Sequence, residues 1–251
     1  MSGHSKWATI KRKKGAADAA RGKMYSKLLR AIEVAAREGG GSIEGNMTLA
    51  SAVEKARDFS VPMDNIERAI KRATGDLEGV RYESAMYEGY GPGGVAMLIE
   101  VLTDNRNRSG ADIRHAFGKY GGNLGDPGSV AWMFNRQGIL AVEKAGAPDE
   151  EALLDIVTEA GADDLSDRDD LWEVVASPQA FRGVKEALEA AGVPIASAEV
   201  TMHPTNTVPV AAEQARSVLR LLEALEDLDD VQNVYSNFDI PEDVMAEATS
   251  G

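Results

Sequence analysis

The sequence predicts an α+β multidomain chain: an N-terminal three-helix domain followed by two ferredoxin-like α+β domains, the third inserted in the second. Two observations carry this expectation. Hydrophobic spacing is helical up to about residue 78, and from Tyr82 onward it becomes a mixture of strands, turns and helices. Residues 138–204 then hold a β-α-β-β-α-β series, which leaves the αβ pair at 211–236 to join the interrupted half at 79–134. The expected domains are therefore 1–78, 79–134 together with 205–251, and the inserted 135–204.

The first helix is expected over residues 16–38, with Leu28, Leu29, Ile32 and Ala36 on one stripe and Lys23, Lys27, Arg30 and Arg37 largely off it; Gly39–Gly41 stops it. A second runs from Met47 to Phe59. A third follows Pro62, where Asp64 and Glu67 have capping-box spacing and Ile66, Ala69, Ile70 and Ala73 form the apolar face up to Gly75. Strands are expected at Tyr82–Glu88 and Val95–Leu102, joined by the turn Gly89–Gly94. A helix opens near Ser109 and closes at Gly121, and a strand spans Val130–Phe134. The inserted domain reads as strand 139–143, helix 148–160, a weak strand at 164–166, strand 171–176, a helix after Ser177-Pro178 to Ala191, and strand 196–202. Helix 211–225 and strand 231–236 complete the set.

The chain has 251 residues, of which 43% are hydrophobic, enough for folded domains with sizeable cores. The apolar run Val95–Ile99 is broken by Glu100, so no stretch approaches the roughly 18 residues of a membrane span. The start, Met1 to Trp7, lacks the apolar core of a signal peptide, which makes the cytoplasm the expected location. The absence of cysteine excludes disulfides, thiolate nucleophiles and Cys-ligated metals. His4, His115 and His203 are too scattered to form a ligand pair, and no motif implies a cofactor.

Charge is distributed unevenly. The chain carries 27 Lys and Arg against 41 Asp and Glu, net −14. Residues 1–38 nevertheless hold 10 cations against 3 acids, whereas residues 135–251 hold 7 against 25. A basic end on an acidic body can meet phosphates in one orientation only.

Within that basic end, Lys6, Lys11, Arg12, Lys13, Lys14, Arg21, Lys23, Lys27 and Arg30 surround Trp7 and Tyr25. Cations for phosphate and aromatics for stacking suit nucleic acid; a solvated basic tail with Trp7 packed on its domain is the alternative. Thr103–Arg108 places Arg106 and Arg108 at a strand end before a helix, where they suit an anion or a base, or else cap the helix and pair with Asp104 and Asp112. Gly89–Gly94 lacks the Gly-Lys-Ser/Thr of a phosphate loop and reads as a structural turn. His115, beside Phe117, is expected to be structural. The acids Asp163, Asp164, Asp167, Asp169 and Asp170 fail calcium-loop spacing and read as a solvated loop.

Five blocks resemble one family: Met1–Lys14, Val61–Ile70, Tyr87–Gly94, Leu102–Arg108, and Gly121–Gly125 continuing through Gly128–Phe134. The sequence is similar to the YebC/PmpR family over these blocks in order up to Phe134, and more diffusely beyond. The resemblance implies three domains with the third inserted in the second, no known catalytic activity, and either a DNA-binding transcriptional regulator or a ribosome-associated translation factor that contacts ribosomal RNA. It also implies that Lys6, Trp7, Lys11, Arg12, Lys13 and Lys14 make the contact, with Arg106 and Arg108 second. A monomer is the default expectation.

Overall fold

The computed structural model describes residues 18–75, 80–168, 170–241 and 244, with side chains from residue 22 onward. In chain order the elements are helices α1 (Asp18–Gly39), α2 (Met47–Asp58) and α3 (Met63–Thr74); strands β1 (Glu83–Tyr90) and β2 (Ala96–Thr103); helix α4 (Arg106–Lys119); and strands β3 (Asn123–Leu124) and β4 (Phe134–Glu143). Helix α5 (Glu150–Glu159), strands β5 (Ala162–Arg168) and β6 (Leu171–Ala176), helix α6 (Phe181–Ala190) and strands β7 (Ile195–Pro204) and β8 (Val208–Pro209) follow. Helix α7 (Ala212–Glu226) and strands β9 (Val231–Ser236) and β10 (Phe238–Asp239) complete the chain. Two compact units result. Of the described residues, one takes those from 18 to 131 together with those from 208 on, and the other takes 132–207.

In the first unit, α1–α3 enclose their own core of Leu28, Ile32, Ala36, Leu49, Val53, Ile66 and Ala69. One side chain joins α1 to α2. Asn46 donates through Nδ2 to the carbonyls of Ala35 (2.8 Å) and Gly40 (2.9 Å), while its Oδ1 accepts from the Leu49 amide. It therefore satisfies free carbonyls at the end of one helix and a free amide at the start of the next. A side chain at Gly39 would fall 2.5 Å from Asn46, which is why glycine ends α1. The spacing of Asp64 and Glu67 does not make a capping box: α3 begins at Met63, its N-cap is Pro62 without a side-chain bond, and Asp64 sits inside the first turn.

The sheet of this unit has the order β3-β1-β2-β9, antiparallel throughout. Val95, Met97, Ile99 and Val101 meet Ile113 and Phe117 of α4 and Leu221, Leu222 and Leu225 of α7 in a second core. The β1–β2 connection is the expected structural turn: the Gly91 amide donates to the Val95 carbonyl (2.8 Å), and Gly93 and Gly94 adopt φ of 74° and 78°, which a side chain would strain.

Two expectations fail here. Val130–Phe134 is not a strand; a short 3₁₀ turn occupies Ala131–Met133 and β4 starts at Phe134. The Glu88 carboxylate takes the amides of Gly128 (2.7 Å), Val130 (2.7 Å) and Ala131 (2.8 Å), which removes them from any ladder. Helix α4 also starts earlier than expected, at Arg106, because the Asn105 side chain caps it by accepting from the Arg108 amide (3.1 Å); Ser109 lies inside the first turn, its hydroxyl bonded to Thr103, Asp230 and the Asn105 carbonyl.

The second unit has the order β5-β6-β4-β7, the antiparallel arrangement of a ferredoxin-like β-α-β-β-α-β unit. Leu140, Val142, Trp172, Val174, Leu153, Val157, Val184 and Leu188 form its core. The acids at 163–168 are not a solvated loop. They lie on edge strand β5, with Asp163, Asp164 and Asp167 exposed and Leu165 packed against the core; Asp169 lies outside the described residues. Charges on an edge strand hinder pairing with other chains.

Candidate nucleic-acid interface

Lys23, Lys27 and Arg30 are spaced four and three residues apart, so they share one stripe of α1. The structure brings all three against the C-terminal end of α7 and the turn into β9. Lys23 donates to the Asp227 carbonyl and pairs with the Asp229 carboxylate at 3.4 Å. Lys27 donates to the Glu226 carbonyl at 2.6 Å. Arg30 reaches the Asp229 carbonyl (2.7 Å), the Asp230 carboxylate (2.9 Å) and the Leu102 carbonyl (3.4 Å), with its guanidinium 4.8 Å from the Tyr82 ring centre. The last carbonyls of a helix lack intrahelical partners and carry the negative end of its dipole, so each such cation contributes about 0.3–1 kcal/mol.

Asp230 is the hub of this seam. Besides Arg30, its carboxylate accepts from Arg108 (2.7 Å), the Ser109 hydroxyl (2.7 Å) and the Thr103 hydroxyl (3.1 Å). Burial pushes its carboxyl upward, but the bonds from Arg108, Ser109 and Thr103 outweigh that and hold it below the usual carboxylate range. Arg108 is shared with Asp104 at 2.7 Å, and the bonds to Asp230 and Asp104 hold its guanidinium above its ordinary value. A polar cleft of about 520 Å³ opens beside these groups, lined among others by Lys23, Arg30, Tyr82, Arg108, Asp112 and Asp229.

Of the arginines in the Thr103–Arg108 block, Arg106 pairs with Glu83 (2.9 Å) and the Ser84 carbonyl (3.0 Å) in an exposed contact, and Arg108 joins the Asp230 hub. Both are therefore paired with acids, Arg108 with Asp104 as foreseen and with Asp230 in place of Asp112, and Arg106 with Glu83. His115 is exposed on α4. Lys6, Trp7, Lys11, Arg12, Lys13 and Lys14 lie outside the described residues, as does the side chain of Arg21 on α1.

Sequence reasoning missed Tyr82, Asp227, Asp229 and Asp230. The acids did leave a signal. Glu223, Glu226, Asp227, Asp229 and Asp230 fall within eight residues at a helix C-terminus, where the dipole disfavours anions, so cations had to arrive from elsewhere. Among the described residues no group of His, Asp and Glu is arranged to hold a metal ion, and no helix is long and apolar enough to cross a membrane.

Comparison with known proteins covers nearly the whole chain. Residues 5–76 match the TACO1/YebC N-terminal domain, and residues 82–238 match the TACO1/YebC second and third domain. A probable transcriptional regulatory protein of Rubrobacter xylanophilus is 56% identical over 98% of this chain and 99% of its own length. Another so named, from Desulforapulum autotrophicum, is 53% identical over 97% and 98%. The crystal structure of a conserved hypothetical protein of Aquifex aeolicus, 47% identical, superposes with a TM-score of 0.76 over 90% of this chain and 93% of that one. Two adjoining domain matches and relatives alike over their full length make this chain a member of the TACO1/YebC family.

Proposed function

We propose that this protein is a non-enzymatic regulator that binds nucleic acid through its basic N-terminal region, with duplex DNA as the first target, acting in the cytoplasm as a transcriptional regulator. The observation that carries this reading is the charge step: 10 cations against 3 acids in residues 1–38, and 7 against 25 in residues 135–251. A polyanion attracted to the first stretch is repelled by the second, which fixes orientation without base contacts. The names of the relatives, probable transcriptional regulatory protein, agree with it. In this reading residues 1–78 form the binding domain, 79–134 with 205–251 its support, and 135–204 the acidic insert.

A second reading is a translation factor held on the ribosome through ribosomal RNA. One feature favours it. The exposed faces of α2 and α3 interleave acids with bases, Glu54 and Asp58 with Lys55 and Arg57, and Asp64 and Glu67 with Arg68 and Lys71, which does not suit insertion into a major groove. Fluorescence anisotropy with a duplex DNA and a ribosomal RNA hairpin, titrated with salt, tests both readings. Neutralising about five phosphates gives a slope of log affinity against log salt of roughly −4 to −5. Joint replacement of Lys11, Arg12, Lys13 and Lys14 by Ala is expected to abolish binding; unchanged affinity at moderate salt would reject this assignment. A strong preference for the hairpin selects the second reading.

A further inference from the structure

We propose that the acidic turn at the end of α7 is a built-in competitor for nucleic acid: it occupies the cations of α1 in the free protein and is displaced when a phosphate chain binds. The inference rests on the nucleic-acid reading above and adds its regulation.

The seam presents to α1 a row of oxygens that resembles a polyanion. Lys23, Lys27 and Arg30 span eight residues, about 10 Å of helix. Over that length they meet the carbonyls of Glu226, Asp227 and Asp229 and the carboxylates of Asp229 and Asp230. These are the described cations of the basic N-terminal region that face one way. An ammonium or guanidinium directed at a helix end has fewer donors left for a phosphate, and the carboxylates beside it repel that phosphate, so phosphate and turn compete for the same cations.

The row is graded along its length. The Lys23–Asp229 pair has side chains 38% and 73% exposed, a contact that water and salt weaken. The Arg30–Asp230 pair is 16% and 10% exposed and shares its carboxylate with Arg108, Ser109 and Thr103. Release therefore begins at Lys23 and Lys27, while Arg30 holds the helical segment to the sheet as a fulcrum. The expected bound state keeps the Asp230 hub and frees the outer two cations.

The test uses the full chain and a fluorescein-labelled 20-base-pair duplex. Asp227→Asn with Asp229→Asn removes charge from the turn and leaves the hub intact. The comparison variant, Asp126→Asn with Asp239→Asn, makes the same charge change at exposed positions of the same unit, outside residues 1–78. The turn variant is expected to bind about 5- to 10-fold more tightly than wild type at 0.15 M salt, and the comparison variant to change affinity by less than 2-fold. Hydrogen exchange of wild type on adding the duplex is expected to quicken at the amides of residues 226–229 and to stay slow at Leu102, whose amide donates to the Asp230 carbonyl. Equal affinities for the two variants, or increased protection at 226–229, would overturn the competitor. If wild type binds and the variants match, the competitor alone falls; if neither wild type nor the turn variant binds the duplex or a ribosomal RNA hairpin, the nucleic-acid reading falls and takes the competitor with it.

Discussion

Asp230 in one unit and Glu173 in the other are both buried carboxylates answered by arginine, and they are answered differently. Asp230 collects two guanidinium groups and two hydroxyls from α1, β2 and α4, residues up to 200 positions away. Glu173 on β6 receives Arg168 from the neighbouring strand on one oxygen, at 3.2 Å, while its other oxygen has no hydrogen-bond partner among the described residues; His203 Nε2 stands 3.9 Å away. The first arrangement ties distant segments together through charge. The second serves a local sheet and leaves a polar atom unsatisfied. In this chain, the charge that organises the tertiary structure is concentrated on the seam where the basic helix meets the acidic turn.

Removing the hub is expected to have the largest effect. Asp230→Ala leaves Arg30 without its carboxylate, Arg108 with Asp104 alone, and the Ser109 and Thr103 hydroxyls without their acceptor; breaking a buried pair such as Arg30–Asp230 costs about 3–5 kcal/mol, measured by urea denaturation. Glu88→Gln comes next. The carboxylate is buried and takes three backbone amides, so an amide group there faces N–H donors with a donor of its own, at about 2 kcal/mol. Glu173→Gln is expected to cost less, about 1 kcal/mol, because Arg168 is 40% exposed and turns to water. Arg106→Ala, which breaks an exposed pair with Glu83, is expected to change stability by less than about 0.5 kcal/mol.

Acid separates the two regions further. Burial pushes the His203 imidazole below its ordinary value of 6.5, with Arg168 acting in the same direction and Glu173 against it. The unfolded chain then binds a proton that the folded unit resists. The stability this contributes is complete above about pH 6.5 and falls as pH drops through the folded-state value. Glu88 and Asp230 are depressed carboxyls; burial raises each, but amide donors for Glu88 and Arg108, Ser109 and Thr103 for Asp230 prevail. Their contribution is complete above 4.5 and 3.8 respectively and is lost only as pH falls through their lower folded values. Hydrogen exchange at pH 5.5 is therefore expected to show residues 134–204 loosening before the Asp230 seam, and His203→Asn to remove that difference.

Local pattern carried most of the elements. Strand β6 and helix α2 lie where the sequence places them, because their partners are near in sequence or are simply the core. Pattern was insufficient wherever one polar side chain reached across the chain. Glu88 rearranged the amides of 128–131, and α1 found its anions some 200 residues later. The basic stripe was legible from its charge, but its occupation by the α7 turn was not, since no local spacing records which helix end a lysine will meet.

Ultraviolet crosslinking of the full chain to duplex DNA and to ribosomal RNA, with the attached peptides mapped by mass spectrometry, tests the assignment of the basic end most directly. The account predicts adducts between residues 6 and 30, with Trp7 and Tyr25 prominent. Adducts confined to residues 135–204 would contradict it.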